Sequence, residues 1–305
     1  MSISRRDFLA TSAVALGAGA FGRPALARAW QQQAPVVTPV FTEIRRGVGF
    51  FTGRGGTIGY LINAGGVVVV DSQFPDSAKL CVEGLNERSK NRPVDRLINT
   101  HHHGDHSAGN IAFKGLAKKV VAHEFAANLI KQAAAAPNAA EQLSPDTTFT
   151  DVWREQIGDE WVRAKYYGRA HTGGDAVITF ERANVAHMGD LLFNRRIPVI
   201  DRVNGAIVAN WVSVLEKAAA DHANDTTYIA GHAGTNLPVT CTKADLMFFR
   251  DYLTALLNHT RAAIKAGQTK EQFTATTPTL AGFEVFGAHA ARTLGIVFDE
   301  MAEAK

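Results

Sequence analysis

Six consecutive residues, His101-His102-His103-Gly104-Asp105-His106, carry the densest chemistry in the chain. His101 and His103 are two positions apart, so in an extended turn both imidazoles can point to one side. Asp105 and His106 follow at once, which lets a single strand-end loop feed two adjacent metal ions. Imidazole with carboxylate is the ligand set of zinc, or of iron or manganese at other occupancy. A lone histidine is usually structural or solvent-exposed. Five metal-capable side chains within six residues are much harder to explain that way. Three more features fall at the ends of predicted strands: Ala170-His171-Thr172-Gly173-Gly174-Asp175, His187-Met188-Gly189-Asp190, and Ala230-Gly231-His232.

Positioning these residues is the task of the elements around them. Short β-like runs at Val40–Arg45, Val48–Thr52, Thr57–Asn63 and Gly66–Asp71 open the folded region, with Gly53-Arg54-Gly55-Gly56 as a hairpin turn between two of them. Val67 to Val70 is a continuous apolar run, the pattern of a strand buried on both faces. A helix is predicted from about Asp76 to Lys90, and Val94–Thr100 is a second buried strand that runs directly into His101. Ser107–Leu116 suits a helix, Lys119–His123 a strand and Glu124–Ala135 a helix. Strands follow at Phe149–Ile157, Trp161–Tyr167, Val177–Phe180, Val185–Gly189 and Thr227–Ala230, and helices at Val208–His222, Lys243–Ala266 and Glu284–Glu303. An antiparallel start followed by βα units, then repeated in the second half, points to two sheets packed together and covered by helices.

At this point the sequence resembles the metallo-β-lactamase superfamily. Its hallmark His-x-His-x-Asp-His is met by His101, His103, Asp105 and His106, and the later His, Asp and His by His171, Asp190 and His232 in the family order. The resemblance implies an α+β fold, a four-layer αβ/βα sandwich of two mixed β-sheets flanked by helices, over residues 40–305. It implies two Zn2+, with Fe or Mn as other choices. His101, His103 and His171 would hold the first ion, Asp105, His106 and His232 the second, and Asp190 would bridge them beside a hydroxide. Such a pair makes hydroxide available at neutral pH and polarises a carbonyl or phosphoryl oxygen. Asp105, near the bridging oxygen, is placed to orient the nucleophile or to pass a proton to the departing group. His102 is expected to point away from the metals, and His123 and His187 to be hydrogen-bonding groups behind the ligands or in the core. His222, His259 and His289 read as surface or core residues, and Thr172 and Asp175 as supports of the His171 loop. Asp71 either buttresses the His loop or simply caps its strand.

Fold does not give substrate, because the superfamily spans lactamases, lactonases, thioesterases, nucleases, sulfatases and some oxidoreductases. In the commonest zinc β-lactamases the position of Asp190 is a Cys, followed shortly by a Lys that holds the substrate carboxylate. Here Leu191-Leu192-Phe193-Asn194 follow instead. The expectation is therefore a dinuclear zinc hydrolase acting on the ester, lactone or amide bond of a small periplasmic molecule. A β-lactamase, or an iron-dependent sulfur dioxygenase-like oxidoreductase on the same fold, are the alternatives. Substrate contacts are expected from Phe50 and Phe51 beside the hairpin flap, and from Arg195 and Asn204 in the loop after Asp190. Ordinary strand packing is the other reading of the two Phe. Arg54, Phe193, Asn194, Arg196, Asp201, Asn210 and Trp211 share these two regions, and Arg195 or Arg196 could pair with a substrate carboxylate.

Charge excludes a nucleic-acid partner. The 305 residues hold 32 Lys+Arg and 29 Asp+Glu, a net charge of +3. Four of those Arg and one Asp lie in residues 1–29, so the remainder carries 28 of each sign and is neutral. Nucleic-acid affinity leans on Lys and Arg against phosphate. Ser4-Arg5-Arg6-Asp7-Phe8-Leu9, the Ala/Gly-rich stretch from Ala10 to Phe21 and Ala-x-Ala cleavage patterns at Ala25–Ala29 read as a twin-arginine signal peptide over residues 1–29. The apolar stretch is too short for a stable membrane span. Export by the twin-arginine translocase to a periplasmic or secreted location follows, with residues 30–39 as a linker. Two cysteines, Cys81 and Cys241, are too few for a disulfide scaffold and read as small buried hydrophobes.

Overall fold

The computed structural model describes residues 38–303 apart from Asn138 and Thr277. The expected signal peptide and residues 30–37 of the expected linker lie outside the described residues. Strands β1 (Val40–Arg45), β2 (Val48–Thr52), β3 (Ile58–Asn63) and β4 (Gly66–Val70) form an antiparallel meander. Helix α1 (Pro75–Ser89) then crosses over to β5 (Arg96–Asn99), which pairs parallel to β4. The one-turn helix α2 (Gly104–Ser107) and a 3₁₀ stretch lead to β6 (Val120–His123); helix α3 (Glu124–Ala134) leads to β7 (Thr147–Phe149). Strands β1 to β7 form one seven-stranded sheet in sequence order.

The second half builds the other sheet. Strands β8 (Val152–Ile157), β9 (Glu160–Tyr166), β10 (Ala176–Phe180) and β11 (Val185–His187) run antiparallel in order. After them come the two-residue β12 (Phe193–Asn194) and helix α4 (Val208–Asp221), then β13 (Thr227–Ile229), β14 (His232–Ala233) and β15 (Thr240–Cys241). β13 pairs parallel to β11 and antiparallel to β15, completing six strands, while β12 and β14 pair parallel as a separate ladder. Helices α5 (Lys243–Lys265), α6 (Lys270–Thr274) and α7 (Ala291–Glu303) close the chain.

Alternation along the strands explains the layering. In β4, Val67 and Val69 join Ala78, Cys81 and Leu85 of α1 in an outer core, whereas Val68 and Val70 face the second sheet. The inner core sets Leu61, Val68, Val70, Ile98 and Val121 against Val162, Ala164, Ile178, Phe180 and Ile229. On the far side of sheet two, Val177, Ala186 and Tyr228 pack under Trp211 and Leu215 of α4 and Phe249 and Leu253 of α5. Three apolar layers thus separate four structural layers, helix, sheet, sheet, helix, as the resemblance implied. The expected helix over Glu284–Glu303 is divided in the structure. A 3₁₀ turn at Glu284–Phe286 ends at Gly287, whose φ of +80° is incompatible with a helix, and α7 begins only at Ala291. The short elements β12, β14, β15 and α6 have no periodicity long enough to read from sequence.

Candidate metal centre

The loops that follow β4, β5, β11 and β13 emerge at the same edge of the sandwich, the carboxyl ends of those strands, and the His171 loop enters β10 from that side. The fold thereby gathers residues up to 131 positions apart. His101, His103, His171 and Asp190 form one group and Asp105, His106 and His232 a second, the ligand atoms of each lying within 4.8 Å of one another. Asp190 belongs to both. Its Oδ2 is 3.4 Å from His171 Nε2 and 4.0 Å from His101 Nε2, while its Oδ1 is 3.0 Å from His106 Nε2 and 3.5 Å from His232 Nε2. Asp105 Oδ2 lies 3.1 Å from His232 Nε2 and 3.8 Å from His106 Nε2.

Hydrogen bonds behind the rings set which nitrogen of each faces inward. Thr100 Oγ1 donates to Asp71 Oδ2 (2.7 Å) and so accepts from His101 Nδ1 (3.0 Å), leaving the His101 Nε2 lone pair free. His106 Nδ1–H donates to Asp71 Oδ2 at 2.7 Å. His171 Nδ1–H donates to the Val199 carbonyl at 2.8 Å, and His103 Nε2–H to Asp201 Oδ2 at 2.8 Å. His103 Nδ1 and His171 Nε2 are then two lone pairs facing each other at 3.0 Å, an arrangement that is repulsive unless a cation or proton lies between them. His101 Nε2 and Asp190 Oδ1 are buried and have no hydrogen-bond partner among the described residues. Converging lone pairs, orphaned acceptors and tautomers pinned from behind fit divalent cations. They do not fit a hydrogen-bonded core, which would leave those acceptors filled.

The electrostatics agree. Burial pushes the His101 imidazole well below its usual range and takes His171 down to about 4, so both are neutral ligands at pH 7. Burial works against charge on His106 too, but the carboxylates of Asp190 and Asp71 outweigh it and favour a positive charge at that ring. Burial opposes ionisation of Asp190, yet His106 and His232 hold it well below the usual carboxylate range. The same field that favours a proton there favours a metal cation.

Asp71 settles between its two readings as the buttress. It is fully buried in the left-handed region (φ +62°), and its carboxylate also accepts the Thr100 backbone N–H at 2.7 Å. His187 ties the Asp190 turn to the β2–β3 hairpin, donating from Nε2 to the Thr57 carbonyl (3.0 Å) and accepting at Nδ1 from Gly189 N–H (3.1 Å). Asp175 accepts from Thr172 N–H (2.7 Å) and Oγ1 (2.6 Å), which fixes the His171 loop. His102 turns toward Asp201, with Nε2 3.4 Å from its Oδ2. His123 caps α3 and stacks on Tyr166. Two glycines admit the ligands: a Cβ on Gly231 would lie 2.1 Å from Asp190 Oδ1, and one on Gly56 2.1 Å from His106 Cε1.

The substrate contacts expected from sequence are corrected. A cavity of about 380 Å³ opens over the centre, lined by Phe74, His103, Asp105, Phe193, Arg196 and Val199 among others. Phe51 is fully buried against Phe41 under α1, and Phe50 faces the inter-sheet core, because successive residues of β2 point to opposite covered faces. Arg195 pairs with Asp245 at 2.8 Å, and Asn204 donates to Asp201 at 2.8 Å behind His103. Arg54 binds Asp76 at the surface, Asn194 donates to the Pro238 carbonyl, Asn210 to the Arg169 carbonyl, and Trp211 to the Leu191 carbonyl from a buried site. Phe193 belongs to the cavity wall and stacks on His232 at 5.5 Å. Sequence reasoning missed Phe74, Val199 and the hold of Asp201 on His103. The only signal for Phe74 was its place just beyond the strand that ends at Asp71.

Comparison with known proteins places this geometry among relatives. The family model described as "Metallo-beta-lactamase superfamily" matches residues 52–232, which include all seven candidate ligands. The chain is 26% identical over 196 residues to the metallo-beta-lactamase type 2 of Bacillus cereus, covering 63% of this chain and 72% of that one. It is 27% identical over 150 residues to the 2,4-dinitroanisole O-demethylase subunit alpha of Nocardioides sp. (strain JS1661), covering 48% of this chain and 44% of that one. Among solved structures, a metallo-beta-lactamase from Pontibacter korlensis superposes with a TM-score of 0.60 at 18% identity, over 71% of this chain and 99% of the other. A sec-alkylsulfatase from Pseudomonas sp. gives 0.66 at 13% identity, over 86% and 50%. These two likenesses are of fold alone.

Proposed function

The chain belongs to the metallo-β-lactamase superfamily and is a metal-dependent hydrolase, and from that premise we propose that it uses two divalent cations, zinc foremost, on an ester, lactone or amide bond of a small molecule. The observation that carries the dinuclear reading is the division of the Asp190 carboxylate, one oxygen to each group of ligands. His101, His103 and His171 would hold one cation, and Asp105, His106 and His232 the other. Bound there, the cations would bring the pKa of a shared water toward neutrality and polarise the bond to be split.

The remaining steps belong to the chain's own groups. Asp105 is partly exposed in the cavity, and although burial opposes its ionisation, the His232 hydrogen bond and His106 keep it below the usual carboxylate range. It is therefore a carboxylate at neutral pH, able to accept a proton at Oδ1 or Oδ2 and hand it to the leaving group. Asp201 and Asp71 hold the rings of His103 and His106, so that neither tautomer drifts during turnover. Arg196 is exposed in the cavity wall with no ion pair among the described residues, ready for an anionic group of the substrate. Phe74, Phe193 and Val199 supply apolar walls around the reacting bond.

β-Lactam hydrolysis is the second reading, supported by Arg196 as a carboxylate anchor and by the lactamases among the relatives. We further propose that residues 1–29 export the protein through the twin-arginine translocase to the periplasm or beyond. Cell fractionation of the chain with and without Arg5→Lys and Arg6→Lys tests that. The function itself is tested by metal analysis of protein purified without added metal, followed by lactone, ester, thioester, β-lactam and phosphodiester substrates on the same sample. About two zinc ions per chain and hydrolysis abolished by Asp105→Ala are the expected results. Full activity with one cation would overturn the dinuclear reading, and iron with oxygen consumption would replace hydrolysis by oxidation.

A further inference from the structure

A cavity of about 570 Å³ lies away from the metal centre, between the last turn of α1 and β1, the edge strand of the first sheet. Phe41 and Glu43 of β1, Gly47 of the following turn, Tyr60 and Ile62 of β3, and Arg88 of α1 line it. Phe74, in the wall of the metal cavity, caps the opposite end of α1, about 20 Å away at the rise of an α-helix.

The strand register builds this site. Glu43, Gly49 and Tyr60 stand opposite one another across β1, β2 and β3, so they share the face that α1 covers. Gly49 has no side chain, and the Tyr60 ring lies across it: a Cβ there would be 2.4 Å from both Cζ and Oη of Tyr60. The Tyr60 hydroxyl is thereby carried over β2 toward the edge where Glu43 stands. Tyr60 is only 4% exposed, yet its hydroxyl makes no hydrogen bond among the described residues. Burial raises its pKa and keeps it a phenol, hence a donor. A buried hydroxyl without a partner is costly, and this one belongs to a residue that lines a cavity.

Two opposite charges complete the lining without neutralising each other. Arg88 donates from Nη1 to the Gly84 carbonyl (2.9 Å) and rests on the Phe41 ring, 3.9 Å from its centroid. Glu43 accepts from Gly47 N–H at 3.2 Å, and neither charge forms an ion pair among the described residues. Both act on the Tyr60 hydroxyl, in opposite senses. A guanidinium and a hydroxyl donor that share one cavity with a carboxylate match a molecule carrying both signs. We propose that this cavity is a second binding site, for a small zwitterion of the α-amino-acid class. Its carboxylate takes Arg88 and the Tyr60 hydroxyl, its ammonium takes Glu43, and an apolar side chain lies on Ile62. The site is independent of the metal centre and of the hydrolase reading.

L-leucine is the probe, titrated into the full protein as purified and followed by the amide NMR shifts of Gly47, Gly49 and Arg88. Those reporters separate this site from chelation of a bound cation, which would move the His101–His106 loop instead. Saturable shifts at the three amides are expected, and they should persist when metal is removed. N-acetyl-L-leucine lacks the ammonium and L-leucinamide lacks the carboxylate. Each should bind at least about tenfold more weakly, the worth of one hydrogen bond to a charged group. Glu43→Gln leaves an oxygen for Gly47 N–H and should erase the preference for leucine over its N-acetyl form. Arg88→Gln should erase the preference over the amide. A general loss of structure would lower affinity without erasing one preference and sparing the other. Tyr60→Phe keeps the ring over Gly49 and should cost about tenfold in leucine affinity, with a melting temperature no lower than wild type. The proposal is overturned if leucine moves none of these amides, if both analogues bind as well as leucine, or if Tyr60→Phe binds leucine like wild type.

Discussion

Replacing Asp71 by Asn tests whether the second group of ligands depends on a carboxylate that cannot itself reach a cation. Asp71 is fully buried and accepts three hydrogen bonds at 2.7 Å, from Thr100 N–H, Thr100 Oγ1 and His106 Nδ1. In the Asn variant the amide oxygen can keep Thr100 N–H, but the NH2 group then faces His106 Nδ1–H, donor against donor. Thr100 can rotate its hydroxyl to relieve its own clash. His106 can do so only by moving its proton to Nε2, and that removes the lone pair that faces Asp190 and His232. Loss of such a supporting partner costs about 10- to 100-fold in metal affinity, or about 1.4–2.7 kcal/mol. The larger burden should fall on the Asp105, His106 and His232 group, because His106 loses its partner directly, whereas in the first group Asp71 reaches only His101, through Thr100 Oγ1, and the His103 and His171 rings are held by Asp201 and the Val199 carbonyl. Zinc competition against a chromophoric chelator resolves two binding steps. One step weakened within that range, with the other shifted less than about threefold, is expected. Melting of the metal-free variant reports any general loss of structure separately. Wild-type affinity at both steps, or equal weakening of both, would refute the reasoning.

Gly231→Ala drives a Cβ to 2.1 Å from Asp190 Oδ1 and should abolish metal uptake while far-UV circular dichroism stays native; retained stoichiometry would contradict the geometry. Glu300 is buried and accepts the Val208 and Ala209 N–H groups at 2.9 and 2.8 Å, so Glu300→Ala strands two donors at the start of α4. A loss of about 2–4 kcal/mol in urea unfolding is expected, and a midpoint unchanged from wild type would count against the cap. Asp221 is held down at about 2, burial opposing and Tyr167, Lys165 and Arg163 outweighing it. Because its folded-state pKa is depressed, its stabilisation is complete above its unfolded value near 4 and is lost as pH falls through about 2. Discounted for solvent screening it amounts to about 1 kcal/mol, so Asp221→Asn should destabilise by that much at pH 7 and by nothing near pH 1.5; an equal deficit at both would refute the linkage. Cys81 and Cys241 are free and buried, with burial raising both thiols, Cys241 to about 12. A thiol reagent should therefore label neither in the native protein and both after denaturation, whereas a disulfide would leave nothing to label.

The candidate ligand set that the fold gathers was legible in the sequence because metal chemistry restricts residue type. Only a few side chains bind a divalent cation, and their clustering at His101–His106 and at the later strand ends is improbable otherwise. Much of the layering was legible too, since a short β-branched run such as Val67–Val70 favours a strand covered on both faces, which is what it forms. Which cover lies on which side was not. Phe50 and Phe51 alternate across β2 whatever the fold, but α1 buries Phe51 and the second sheet half-covers Phe50, and neither lines the cavity over the centre. Arg195 and Arg196 are equivalent in sequence. The positive φ at Arg195 (+51°) and a carboxylate 50 positions away, Asp245, draw the first into an ion pair and leave the second in the cavity wall. Asp201 supports His103 from 98 residues off, and Val285 and Leu237 line one cavity from positions far apart in the chain. Residue type determined which atoms can bind a cation. Long-range packing decided which of the remaining side chains are spent holding them and which face a substrate, because burial and hydrogen-bond partners are properties of neighbours in space, and the sequence states only neighbours along the chain.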